Sequence, residues 1–379
     1  MNAAPTPLET GTHALAAGDR AAALAAFSAA PDSADIPWMQ LARAAFDAGD
    51  TATEEAALAA RIRAVRGDIG AILAMAEVKR RRDDARAAAS FYKLALATAA
   101  QMASVPPQLA AALTRADAYV ADTDRRFAAH LFAQLDSAGV RTSTAPPRIA
   151  EALRLLSGEQ PLYLQEPSMF YFPGLAQRGW WDAAEFAWSA EVEAATDAIN
   201  AELTALLADA DAFTPYVQAS ADRPPPNNPL LGKPDWGAAW LLKDGEVADG
   251  MAAACPATLA ALAQAPQPVI PGRAPLALFS RLKPGTHILP HHGLLNTRLI
   301  CHLPLIVPEG CGLRVGGETR EWRRGKLTIF DDSFEHEAWN RGASDRTVLL
   351  FEIWRPDLDT EERAMLTQIF AAIDDYDVN

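Results

Sequence analysis

The sequence predicts an α+β multidomain chain, with a helical repeat region over residues 1–158 followed by a β domain of jelly-roll type over residues 159–379. Three observations carry this expectation. From about residue 10 to about residue 120 the chain is dominated by alanine, leucine and arginine with almost no β-branched runs, the composition of packed helices. Near Pro161 the texture shifts to Pro, Phe, Trp and Gly. After Ala274, short apolar runs alternate with Pro-Gly and Gly-Gly turns, as in a double-sheet barrel.

The helical region shows a weak internal period. Ala17-Gly18-Asp19 precedes Ala22, Ala23 and Phe27, with Pro31 closing the unit; Ala48-Gly49-Asp50 recurs before Ala56, Ala57 and Ala60, and Arg82-Asp83-Asp84 before Ala87, Ala88 and Phe91. Offsets of a little over 30 residues resemble tetratricopeptide-like repeats, in which small residues let paired helices approach and a glycine turns the chain between them. Such a stack offers a concave surface to a peptide or partner domain, or serves as a structural cap without a ligand. Leu109 to Gly158 is expected to continue as helix, with a turn over Thr142-Ser143-Thr144-Ala145-Pro146-Pro147.

In the second region, Phe170 to Leu175 and Gly179-Trp180-Trp181 read as extended or turn structure, and one long helix is expected from about Ala183 to Ala208. Arg223-Pro224-Pro225-Pro226-Asn227-Asn228-Pro229 reads as a surface loop of polyproline character. Strands are expected over Leu276–Leu282, Arg298–Val307, Gly312–Val315, Lys326–Phe330 and Thr347–Trp354. A barrel of this kind gathers side chains at one open mouth, where a metal can be bound and reached.

At 379 residues and half apolar, the chain can bury two sizeable cores. Its formal net charge of -14 argues against a nucleic-acid footprint, which needs a basic surface. The basic run Lys79-Arg80-Arg81-Arg82 is expected as a solvated helix face. Met1 to Thr12 lacks the apolar core of a signal peptide, and no window approaches the ~18 apolar residues of a membrane span, which together imply a cytoplasmic protein. Cys255, Cys301 and Cys311 are odd in number and form no close CxxC pair, so neither a disulfide framework nor a zinc clip is suggested.

The chemistry-bearing residues lie near the C-terminus. Lys283-Pro284-Gly285-Thr286-His287-Ile288-Leu289-Pro290-His291-His292-Gly293 puts His291 at a strand end, and Phe330-Asp331-Asp332-Ser333-Phe334-Glu335-His336 does the same for His336. Arg346 follows at the head of an apolar strand. Fe(II) accepts imidazole nitrogens and must keep neighbouring positions open for a bidentate 2-oxo acid and then dioxygen. A fixed guanidinium can hold the distal carboxylate of that acid. The pattern therefore points to a non-haem iron(II), 2-oxoglutarate-dependent oxygenase. His287 and His292 read as ordinary core or surface histidines. Trp322, Trp339 and Trp354 read as core or rim aromatics, and Arg314 and Arg355 as surface or structural cations, with Arg355 beside Pro356 able to cap the barrel.

The run from His291 through Asn296, Arg298 and His302 to Leu305, then Cys311 to Gly316, Phe330 to Asn340, Arg346 and Trp354-Arg355-Pro356 closely resembles the aspartyl/asparaginyl β-hydroxylase family, over roughly Phe170 to Leu358. That resemblance implies a cupin-like double-stranded β-helix that uses Fe(II), 2-oxoglutarate and O2, preceded in some members by helical repeats. It implies His291 and His336 as the iron ligands, Arg346 and Ser280 at the distal carboxylate, and His302 near the carboxylate beside the keto group. Arg298, Ile300 and His302 share one strand face, as Ser280 does with Leu276, Leu278 and Leu282. Members that act on proteins tend to carry an arginine at the position of Ile300, and Arg298 is expected to take over part of that function.

Most enzymes of the broader class place an acid two residues after the first histidine, where this chain has Gly293, as the family does. Glu335 and Glu337 should face away from His336 in a regular strand, whereas Asp331 and Asp332 suit a turn or the support of a histidine. The implied substrate is the β-carbon of an Asp or Asn residue in a peptide or protein. A small molecule, whether a free amino acid or a lipid headgroup, is the alternative in the same chemistry, and an inactive repeat adaptor is the rival from another class.

Overall fold

Aspartates at helix starts, each after a left-handed turn residue, give the N-terminal period its physical form. The computed structural model describes residues 4–31, 33–141, 143–209, 211–219 and 224–377; Thr142 of the expected turn and Arg223 of the proline-rich loop lie outside them. The chain divides into two compact units, Met1–Gln160 and Pro161–Asn379. The first holds α1 (Pro7–Ala16), α2 (Arg20–Ser28), α3 (Trp38–Asp47), α4 (Thr51–Ala64), α5 (Ile69–Arg81), α6 (Ala85–Ala100), α7 (Pro107–Ser137) and α8 (Pro147–Ser157). Asp19, Asp50 and Asp84 cap α2, α4 and α6 by accepting the backbone N–H of Ala22, Thr53 and Ala87 at 2.9, 3.1 and 3.0 Å. The residue before each cap has φ of 80° at Gly18, 72° at Gly49 and 59° at Asp83, so an aspartate stands in the third turn where the first two use glycine. Phe27, Trp38, Leu41, Leu58 and Met75 form one core of this unit, with the Phe27 and Trp38 rings edge to face at 5.6 Å. The basic run is ion-paired, Lys79 and Arg82 with Glu55, Arg80 with Glu77 and Arg81 with Glu54.

The second unit is built on β1 (Trp180–Trp181), β2 (Thr214–Pro215), β3 (Trp236–Lys243), β4 (Glu246–Val247), β5 (Ala277–Leu282), β6 (His287–His291), β7 (Arg298–Ile306), β8 (Cys311–Val315), β9 (Glu318–Arg320), β10 (Thr328–Phe330), β11 (His336–Asn340) and β12 (Arg346–Trp354). The larger sheet has eight strands in the order β1-β10-β7-β12-β5-β3-β2, with β4 on β3; the smaller runs β6-β11-β8-β9. Odd-numbered residues of β5, β7 and β12, such as Phe279, Cys301 and Phe351, face a core shared with the flanking helices α9 (Ser189–Ala194), α10 (Thr196–Leu206) and α12 (Pro256–Leu262). The even-numbered face of the same strands joins Ile288, Leu313, Val315 and Ala338 of the smaller sheet. That inward face is where the titratable side chains collect.

Several elements differ from the sequence reading. The expected helix over 183–208 is a 3-10 turn at Ala183–Glu185 followed by α9 and α10. A capping box between Asp182 and Glu185 closes the turn early, and Phe186 and Trp188 then insert into the core in contact with each other. Strand β3, the short α11 (Met251–Ala254), α12 and the C-terminal α13 (Thr360–Asp377) were not anticipated. Arg355 is a structural cation and fully buried. It donates to Asp331, also fully buried, at 2.5 Å, and to the carbonyl of Ala176 at 2.8 Å. Gln165 donates to Asp331 at 2.7 Å and accepts from Asn296 at 3.1 Å, so the segment around 165–176 is tied to the loops on either side of β6, β7 and β11.

Removing one partner from a buried ion pair leaves an uncompensated charge. Arg355→Ala is therefore expected to lower the unfolding free energy by about 3–5 kcal/mol in urea melts. A loss below about 0.5 kcal/mol would mean that the Asp331 network does not anchor these loops.

Candidate active site

Strands β6 and β11 pair antiparallel with His336 directly opposite His291, and the register shifts immediately afterwards. The two imidazoles lie 4.1 Å apart, centroid to centroid. Each ring directs Nδ1 at a main-chain carbonyl, His291 at Leu289 O (2.8 Å) and His336 at Phe334 O (3.0 Å). A carbonyl only accepts, so Nδ1 carries a proton in both rings and Nε2 is the nitrogen available to a metal. Burial first, and the neighbouring His291 second, push His336 down to about 3, which holds it in the neutral form a metal requires.

A line of ring contacts leads inward from this pair. His336 lies 5.7 Å from Phe330, Phe330 lies 5.1 Å from His302, His302 lies 5.8 Å from Trp322, and the Arg346 guanidinium sits 4.6 Å over Trp322. Arg346 is 1% exposed, and its Nε and Nη1 have no acceptor. Desolvation lowers it to about 10, so it remains a cation at neutral pH. His302 Nδ1 is likewise buried without a partner, and burial, then Arg346 and His336, hold its pKa far below the usual imidazole range. Ser280 accepts the indole N–H of Trp236 at 3.1 Å, which leaves its own hydroxyl proton for another acceptor. Orphaned donors on a buried guanidinium fit a carboxylate-bearing ligand at the inner end of the cup.

Gly293 also has a physical reason. A Cβ at this position would lie 2.2 Å from Asp332 Oδ2, so the Asp332 carboxylate occupies the space that a side chain at 293 would take. Its Oδ1 is buried and unpartnered, while Arg298 donates to Oδ2 at 3.4 Å. Among the described residues, no group of three or more His, Cys, Asp or Glu side chains could hold a metal. The structure thus brings His291, His336, His302, Ser280 and Arg346 onto one inner surface. Arg298 shares that surface but is bound to the carboxylate of Glu352 as well as to Asp332. Glu335 and Glu337 turn outward to Arg314, and Glu337 also meets His287. His292 Nδ1 donates to Ser333 O at 3.2 Å. Local sequence pattern distinguishes neither Trp322 nor Trp236 from a core or rim aromatic; the fold places their rings against Arg346 and Ser280.

Residues 193–356 match the family model described as aspartyl/asparaginyl beta-hydroxylase. The chain is 38% identical over 146 residues to the aspartyl/asparaginyl beta-hydroxylase of Mus musculus, covering 38% of this chain and 20% of that protein. It is 36% identical over 179 residues to the ornithine lipid ester-linked acyl 2-hydroxylase of Rhizobium tropici, covering 46% of this chain and 60% of that protein. Each match spans less than two thirds of the relative's length. Among solved structures, a predicted oxalate decarboxylase of Thermotoga maritima aligns with 32% of this chain and 81% of its own at 17% identity and a TM-score of 0.22, a likeness too distant to add to the strand order above.

Two outcomes follow from this geometry. In the metal-free chain, NMR of labelled histidine should show the His336 ring neutral down to about pH 3, and titration near the ordinary imidazole pKa would contradict its burial. Gly293→Asp should reduce metal binding and stability, because the new side chain meets Asp332; a variant that bound metal more tightly by calorimetry would show that Asp332 readily vacates that space.

Proposed function

We propose that this chain, whose residues 193–356 match the aspartyl/asparaginyl beta-hydroxylase family model, is an Fe(II)- and 2-oxoglutarate-dependent dioxygenase that hydroxylates an unactivated C–H bond. The observation that carries the proposal is the continuous inner line from two imidazoles, each with Nδ1 on a main-chain carbonyl, to a buried guanidinium with two unused donors. His291 and His336 would hold the metal, fixed in tautomer by Leu289 O and Phe334 O. Bound Fe(II), with 2-oxoglutarate as electron donor and O2 as oxidant, supplies the oxidising power, and the protein contributes binding, orientation and exclusion of water.

Arg346 and Ser280 would bind the distal carboxylate of 2-oxoglutarate, Arg346 by a charge-assisted pair in a buried site and Ser280 through its free hydroxyl proton. His302, neutral and with an unpartnered ring nitrogen, would orient the carboxylate beside the keto group. The substrate classes are a side chain of Asp or Asn in a peptide, as the family name suggests, and an ester-linked acyl chain, as the name of the Rhizobium relative suggests. The two have in common a C–H bond next to a carbonyl carbon.

Turnover of 2-oxoglutarate that requires Fe(II), followed by mass spectrometry for a gain of one oxygen, tests the reading. His291→Ala and His336→Ala should each abolish turnover while the melting transition persists; near-normal turnover in either would remove that residue from the ligand set. Arg346→Ala should raise the apparent KM for 2-oxoglutarate in line with a loss of about 2–5 kcal/mol. Arg346→Lys should recover only part of this, since it lacks the planar fork. An unchanged KM in the alanine variant would place the co-substrate elsewhere.

A further inference from the structure

On that reading of the site, we propose that Glu352 sets the substrate class: by neutralising Arg298 it makes the cup accept an uncharged carbonyl, an amide or an ester, next to the reacting carbon and reject a carboxylate. The cup has two inward cations at opposite ends of one strand. Arg346 is the first residue of β12, and Arg298 faces Trp354, the last. The two are in very different states. Arg346 has unused donors, whereas Arg298 donates Nη1 to Glu352 and Nη2 to Asp332. Both carboxylates are buried, at 2% and 6% exposure. Burial alone would lower the Arg298 guanidinium, but Glu352 and Asp332 together hold it above the usual arginine range.

Burial raises both carboxyl groups, and whether one or both are ionised they cancel the Arg298 charge, so no free positive charge is left for an anion. Glu352 is pinned from both sides, since its Oε1 also accepts the backbone N–H of Leu276 at 3.0 Å. Among the described residues, Arg273 is the other arginine lining this end. Arg273, across the small crevice that leads to Arg298 and Glu352, is engaged by Asp374 and lies over the Phe370 ring. Ile300, opposite Glu352 in the register, is aliphatic, and Phe330 opposite Ile300 is aromatic. Tyr216 is stacked on Trp236 at 4.0 Å and feels the charges of Arg298, Asp332 and Glu352. A substrate carboxylate placed here would be buried beside two carboxyl groups with no free guanidinium to pair with, a cost that a neutral carbonyl oxygen does not carry. Arg298 keeps one buried donor without a partner, its Nε–H, which suits a single neutral acceptor.

The test uses the full chain loaded with Mn(II) and 2-oxoglutarate without oxygen, and isothermal titration with three matched probes: N-acetylaspartate α-amide, its β-methyl ester and N-acetylasparagine α-amide. The neutral probes should bind at least about tenfold more tightly than the aspartate. Glu352→Gln, which frees Arg298 for an anion, should shift that ratio by about tenfold toward the aspartate. The ratio in the unmodified chain stands even if the variant folds poorly. Tighter or equal binding of the aspartate probe, absence of binding by both neutral probes, or a ratio unmoved in a folded Glu352→Gln chain each overturns the proposal. Absence of Fe(II)-dependent 2-oxoglutarate turnover would instead sink the enzymatic reading and leave the binding ratio as measured.

Discussion

The cross-strand pairing of His336 with His291 is the constraint on which the rest of the cup depends. Antiparallel neighbours in direct register bring their side chains to the same face, so the pairing alone sets two imidazoles 4.1 Å apart. A slip of one residue would turn one ring outward. The register is held from behind. Asp331, in the turn before β11, is locked by Arg355 and Gln165, and Gln165 is locked in turn by Asn296 in the turn before β7. The backbone of Gly293 donates to Asp332 O, so the two histidine-bearing loops are also joined to each other.

Desolvation shapes the chemistry of the same surface. It keeps His336 and His302 neutral, and it leaves Arg346 a cation whose unused donors are costly until an anion arrives. At the other end of β12 a comparable guanidinium is already satisfied by Glu352 and Asp332. Two arginines on one inner surface thus have opposite electrostatic needs, and the difference lies in which carboxylates the fold places beside them.

Local pattern made part of this legible. Alternation along β5 and β7 was enough to place Ser280, Arg298 and His302 on the inward face, and the spaced Asp caps marked the starts of α2, α4 and α6. Contacts between distant stretches were not legible. The burial of Arg355 depends on Asp331 and on the backbone at Ala176, and the reason for Gly293 is a carboxylate from another loop. The break in the 183–208 helix was missed because a composition favourable to helix conceals that Phe186 and Trp188 are needed in the core. α13 carries no motif, and what fixes it is tertiary, the packing of Leu366 and Phe370 against Trp354 and Leu358.

On the function proposed above, His291 and His336, without a carboxylate from the position of Gly293, would form a metal site whose co-substrate reaches Arg346. A crystal structure of the full chain with Mn(II) and 2-oxoglutarate, with the metal located by anomalous scattering, tests it most directly. Metal is expected on Nε2 of His291 and His336, with no protein carboxylate oxygen bonded to it and the distal carboxylate of 2-oxoglutarate on Arg346 and Ser280. Metal held directly by Asp332, or a co-substrate carboxylate on Arg298 in place of Arg346, would contradict it.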